Sequence, residues 1–168
     1  MANFTDLSGP IVANTLYVDD VLVGRDISAT LPDIEFMTAT VQARGEWEIP
    51  IQTLFSTIEL AITRVGMTEN GGKLMETGMR RIELRNVQSK TGVDGTSGNQ
   101  SIKVFATGLS KTLPGGDIAI GEAIEQEFTY SLKRYQVFVD GVELMCIDRT
   151  GTCRINGKDI TGGVESLL

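Results

Sequence analysis

Glu125-Gln126-Glu127-Phe128-Thr129-Tyr130-Ser131-Leu132 decides the fold class of this chain. The odd positions are polar and the even positions, Gln126 excepted, are apolar. That is the period-two pattern of a strand with one face in a core and the other in water. The strand-like pattern continues through Tyr135, Val137 and Val139 to Asp140-Gly141, so the predicted strand spans about 17 residues, against a usual length of roughly 5 to 6. At roughly 3.3 Å per residue it reaches on the order of 55 Å, more than a single small domain needs. The excess length points to a surface used by something larger than one subunit.

The flanks repeat the theme. Downstream, Val142 to Asp148 and Thr152 to Ile160 read as a meander, with Asp140-Gly141 and Asn156-Gly157 as hairpin turns whose central residues need positive φ. Upstream, Ser101 to Lys111 alternates Ile102, Val104 and Ala106 against Ser101, Lys103 and Thr107, with Phe105 breaking the pattern. Residues 80 to 88 read as a further strand, and the glycine-rich stretch Lys90 to Asn99 reads as a polar loop. That loop lacks the lysine-serine/threonine ending and the following helix of a phosphate cradle.

Glu35 to Arg44 sets Thr38, Thr40 and Gln42 against Met37, Ala39, Val41 and Ala43. Residues 57 to 65 set Thr57, Glu59 and Thr63 against Ile58, Leu60 and Ile62. These two runs read as antiparallel partners. Between them Trp47, Ile49, Ile51 and Phe55 give a loop more apolar surface than a solvated turn wants, so it either folds back on the core or reaches a partner.

Leu16, Val18, Val21 and Val23 flank Asp19-Asp20 as a hairpin, and residues 1–13, with Ser8-Gly9-Pro10, read as an N-terminal arm. The best helix is Gly72 to Gly78, with Asn70 as cap and Leu74 and Met75 as anchors. Eight or nine strands and one short α-helix predict a mainly β protein. It is an antiparallel sandwich or partial barrel, with residues 14–168 as a single domain.

Composition narrows the function. The 168 residues are 41% hydrophobic, contain no apolar run of transmembrane length, and begin without a basic or apolar leader. No stable membrane association and no secretion through a signal peptide are expected. Twenty-two acidic residues against fifteen basic ones give a net charge of −7, which opposes gripping nucleic acid through its phosphates. Two cysteines, Cys146 and Cys153, are too few for a disulfide framework, and the chain has no histidine for a zinc site or the usual general base.

No metal, cofactor or catalytic set is expected. Asp19-Asp20 fits a turn better than a metal or catalytic dyad, and Glu125 with Glu127 forms a carboxylate pair without a visible pocket. A monomeric module binding carbohydrate or peptide would use Trp47, Tyr130 or Tyr135 as its platform. At 6% aromatic content and a single tryptophan, that reading is thinly supported.

In order along the chain, Asn14-Thr15-Leu16-Tyr17-Val18-Asp19-Asp20, Thr30-Leu31-Pro32, Val139-Asp140-Gly141-Val142-Glu143-Leu144, Ile147-Asp148 and Asn156-Gly157-Lys158-Asp159 resemble the major tail tube protein family. That family belongs to contractile-tailed phages and phage-tail-like particles. The resemblance covers roughly residues 14 to 160.

It implies a non-enzymatic subunit that forms hexameric rings, which stack into a hollow tube for genome passage or envelope puncture. Strand pairs from each subunit would complete a multi-subunit β-barrel around the lumen. The implied partners are further copies of the chain, a tail sheath protein, and tape-measure and baseplate or tail-terminator proteins. DNA would transit without specific binding, and the tail would be assembled in the host cytoplasm. The tube of a bacterial contractile secretion system is a neighbouring reading.

By this resemblance the lumen lining falls to Thr38, Thr40, Gln42, Glu59, Thr63, Lys103, Thr107, Glu125, Glu127, Thr129 and Ser131. Trp47, Ile49, Ile51 and Phe55 become inter-ring contacts. The loop Lys90 to Asn99 and the arm Ala2 to Pro10 are secondary contacts.

Overall fold

The computed structural model describes residues 6–168. Twelve strands follow in order: β1 (Asp6–Val18), β2 (Val21–Arg25), β3 (Ser28–Thr30), β4 (Phe36–Gln42), β5 (Glu46–Phe55), β6 (Glu59–Val65), β7 (Met79–Gly92), β8 (Ser97–Thr112), β9 (Glu125–Val139), β10 (Val142–Asp148), β11 (Arg154–Ile155) and β12 (Lys158–Asp159). All described pairings are antiparallel. The main sheet runs β12-β11-β10-β9-β8-β7-β1-β2, with β6 also on β9 and β3 beyond β6; β4 and β5 form a sheet of their own.

The main sheet is rolled. Its path β3-β6-β9-β8-β7-β1-β2 ends on two strands joined in sequence only by Asp26 and Ile27, so the two ends of the path come together at that corner, as in a partial barrel. Asn14 ties this seam: its Nδ2 donates to the Ile27 carbonyl at 2.5 Å, and its Oδ1 accepts from the Ile27 N–H at 2.8 Å. Asn14→Ala leaves both groups unpartnered. It is expected to cost about 2 kcal/mol, read as a lower denaturation midpoint at unchanged m-value. Wild-type stability in that variant would contradict the role given to Asn14.

β9 changes partners half-way along. β6 covers Glu125 to Ser131, β10 covers Arg134 to Val139 on the same edge, and β8 lies along the other. At the changeover Gly108 pairs with Leu132 but Thr107 pairs with Arg134, so Lys133 is a bulge. The bulge reverses the inward parity. Phe128, Tyr130 and Leu132 point into the core before it, and Tyr135 and Val137 after it. They meet Leu60 and Ile62 of β6, Ile82 and Leu84 of β7, Val104 and Ala106 of β8 and Leu16 of β1. The Tyr130 hydroxyl donates to the Leu74 carbonyl at 2.5 Å, and burial pushes its pKa well up.

Three hairpin turns fall where the sequence places them. Asp19-Asp20, Asp140-Gly141 and Asn156-Gly157 all have positive φ. Other expectations are corrected. The helix is a 3₁₀ turn, Glu69–Leu74, that starts after Thr68 and puts Leu74 over the core; Gly71 and Gly72 do not favour an α-helix. The loop between Glu35–Arg44 and residues 57–65 is itself a strand, so β4 pairs with β5 and β6 pairs with β3 and β9.

The loop Lys90 to Asn99 shrinks to the turn 93–96, because β7 runs on to Gly92 and β8 starts at Ser97. Asp94 shapes that turn by accepting from the Thr96 N–H and hydroxyl at 3.1 and 2.7 Å. The arm is part of β1 from Asp6 onward, paired with β7 through register shifts around Ile11. Residues 1–5 of the expected arm lie outside the described residues.

Candidate functional site

The face of β3, β6 and β9 that points away from the core carries most of the expected lining residues. Across the ladder Glu59 faces Ser131, Ala61 faces Thr129, Thr63 faces Glu127 and Val65 faces Glu125. The intervening pairs, Leu60 with Tyr130 and Ile62 with Phe128, are buried. Gln126, the exception in the pattern, is buried opposite Arg64, and its Nε2 donates toward the carbonyls of Pro114 and Gly115 at 3.5 and 3.4 Å. Five expected residues, Glu59, Thr63, Glu127, Thr129 and Ser131, are thus brought together, with Glu125 at the rim.

Sequence reasoning missed three neighbours. Ser28 and Thr30 of β3 pair with Thr63 and Ala61, and Lys111 forms an ion pair with Glu59. A three-residue strand carries too little alternation to be read, although Ser28-Ala29-Thr30 has it. Past the bulge the same sheet face changes character. Lys103 lies opposite Phe138, Phe105 opposite Gln136 and Thr107 opposite Arg134. Phe105, the break in the β8 pattern, meets Phe138 edge to face at 5.5 Å and 90°.

Thr38, Thr40 and Gln42 sit elsewhere, on the exposed polar side of β4, opposite Pro50, Glu48 and Glu46. The other side of this hairpin is apolar, with Met37 facing Ile51, Ala39 facing Ile49 and Val41 facing Trp47. Met37 is 50% exposed, Val41 43% and Trp47 59%, so that side covers little of its own subunit. Arg44 and Gly45 form the tip with positive φ. Phe55 separates from the other expected contacts: its ring meets Phe36 at 5.5 Å, tilted by 40°, at the hairpin base, and it packs against the core. Arg149 anchors that base, donating to the Ser56 carbonyl at 2.6 Å and to the Leu132 carbonyl at 3.3 Å beside the β9 bulge.

The acid pair Asp19-Asp20 is engaged in the fold. Asp19 binds Arg80 at 3.0 Å and accepts from the Arg81 N–H, and Asp20 lies 3.6 Å from Arg81. Partial burial opposes ionisation of Asp19, but the Arg80 and Arg81 hydrogen bonds, with the charges of Arg80 and Lys73, hold its carboxyl below the usual range. Cys146 and Cys153 are buried free thiols, and burial pushes the Cys153 thiol up. Among the described residues no group of three or more His, Cys, Asp or Glu is placed to hold a metal ion, and no helix is long and apolar enough to cross a membrane.

The family model for phage tail tube protein FII matches residues 11–168. The chain belongs to this family. It is a structural subunit of the tail tube of a phage or phage-tail-like particle. No curated protein matches it.

Among solved structures, a chain of the sheath-tube complex of PVC, an extracellular contractile injection system, in its extended state is similar. Identity is 18% and the TM-score 0.51, over 77% of the tail tube chain and 90% of the other. The tube-terminating cap of the anti-feeding prophage is similar at 17% identity and TM-score 0.53, over 77% and 90%. The PVC sheath/tube terminator in the extended state is similar at 16% and 0.50, over 77% and 95%. At these identities the likeness is one of fold, and it reaches across tube and tube-end components.

Proposed function

We propose that the tail tube subunit forms hexameric rings that stack into a hollow tube, with the outward face of β3, β6 and β9 as lumen wall. One observation carries this reading: a ladder of hydroxyls and carboxylates, Glu59, Thr63, Glu125, Glu127, Thr129 and Ser131, lies directly behind a buried layer that is apolar from Leu60–Tyr130 to Ile62–Phe128 and closes on the Arg64–Gln126 pair. Along the Glu125 to Ser131 part of β9 and its partners in β6 and β3, such a wall holds water, and the cation beside it, Lys111, is engaged by Glu59. Thr38, Thr40 and Gln42 of β4 extend the wall. DNA or another cargo passes without specific binding.

Closing a ring also answers a difficulty within the subunit. A two-stranded hairpin is marginal on its own in water, and an exposed apolar face marks a contact. Trp47, Ile49 and Ile51 therefore contact a neighbouring copy in the next ring. The partners are further copies of the chain, a surrounding sheath, and tape-measure and terminator or baseplate proteins. The role is structural and not catalytic, in keeping with an acid pair held by Arg80 and Arg81 and with Glu125 and Glu127 on an open face.

Light scattering on the purified chain, alone and with its tail partners, tests the reading. Species at multiples of six subunits are expected, and a monodisperse monomer under both conditions would contradict it.

A further inference from the structure

The sheet face beyond the β9 bulge, which holds the expected lining residues Lys103 and Thr107, differs in chemistry from the ladder of hydroxyls and carboxylates before it. Arg81, Phe105, Thr107, Arg134, Gln136 and Phe138 line an open depression of about 340 Å³. Its floor is the edge-to-face pair of Phe105 and Phe138. Arg134 makes no side-chain hydrogen bond or ion pair among the described residues, and the Arg81 guanidinium reaches only Asp20, at 3.6 Å. Guanidinium groups beside half-buried rings match an incoming aromatic face, through cation–π attraction and ring-edge packing.

We propose that Trp47 of a second copy seats in this depression. The proposal rests on the hairpin being a contact between copies, and it names the surface that receives it. Trp47 is the only tryptophan of the chain and is 59% exposed beside the hairpin tip. No hairpin residue lines the depression in its own subunit. The flanking Glu46 and Glu48 lie on the other side of the hairpin from Trp47, so the seat is carried by the Trp47 ring itself against the Phe105–Phe138 pair and the Arg81 and Arg134 guanidinium groups. A protruding hairpin entering a depression on another copy is a heterologous contact, which repeats into rings or open stacks rather than stopping at a dimer. Large aromatic and arginine side chains are also the residues that dominate interface energy.

The single tryptophan supplies the test. Wild-type protein is polymerised while its fluorescence is followed, beside Arg134→Glu, which reverses an exposed charge, and Thr107→Tyr, which fills the depression. Both variants are first checked for wild-type melting as monomers, and Arg134→Glu suffices if Thr107→Tyr does not fold. The emission of Trp47 is expected to move to shorter wavelength on polymerisation. The critical concentration of the variants is expected to rise on the order of tenfold to a hundredfold. Wild-type protein that never polymerises would contradict the tube reading itself. Polymerisation with unchanged emission, or a wild-type critical concentration in Arg134→Glu, would overturn this inference and leave the tube reading standing.

Discussion

Replacing residues 38 to 53 with a short glycine-serine link is expected to give a folded subunit that no longer polymerises. β4 and β5 form a sheet of their own, with no ladder hydrogen bonds to the main sheet. Their apolar side is largely open, and Phe55, which packs on the core, and Phe36, which meets it, lie outside the excised segment. The melting transition is therefore expected to stay close to that of the intact monomer. Polymerisation is expected to be lost, because the segment carries both Trp47 and the residues of β4 proposed to extend the wall. Circular dichroism melting and electron microscopy of the same sample read the two effects. Tubes of normal appearance from the excised chain would contradict the role of the hairpin, whereas a collapse of the fold would contradict its independence from the core.

Gly108→Ala is expected to act in the opposite manner, on the fold itself. A Cβ at this position would stand 2.4 Å from the Ser131 carbonyl oxygen and 3.0 Å from the Leu132 Cα, both backbone atoms of the paired strand. No rotamer relieves such a contact, so β8 and β9 must move apart at the point where Lys133 bulges and β9 passes from β6 to β10. Overpacking alone costs about 1 to 3 kcal/mol, and disturbing this junction adds to it. Denaturant unfolding of Gly108→Ala beside Gly98→Ala, whose Cβ would meet nothing within 4 Å, separates the clash from the general effect of removing a glycine. Equal stability of the two variants would contradict the tight packing at the bulge.

Much of this architecture was legible because local chemistry carried it. The alternation from Glu125 to Leu132 predicted the faces of β9 as far as the bulge, and Asp19-Asp20, Asp140-Gly141 and Asn156-Gly157 named their turns through the need for positive φ. The bulge was also written in the chain. Apolar residues fall on even positions up to Leu132 and, Phe138 excepted, on odd positions from Tyr135, the change of parity that a one-residue bulge produces. That change moves Arg134, Gln136 and Phe138 onto the outward face, where strict alternation from Glu125 would not have placed all three.

Strand partners were harder to read than strands. Residues 35–44 and 57–65 share a pattern, but period two specifies faces and not neighbours. Pro50 and Trp47 disguised β5 as a loop, although Trp47, Ile49 and Ile51 alternate with Glu46, Glu48 and Pro50. Pro50 is tolerated because the hairpin has only two strands, each with a free edge. Gly9-Pro10 hid the start of β1 in the same way, at an irregular stretch of its pairing with β7.

A cryo-electron microscopy reconstruction of the assembled polymer tests the lumen assignment most directly, through the side chains that face its axis. A hollow tube is expected, with Glu127, Thr129 and Ser131 of every subunit on the inner wall and Phe128 and Tyr130 behind them in the subunit core. A polymer without a channel, or a channel walled by other strands with Glu127 and Thr129 on the outside, would contradict it.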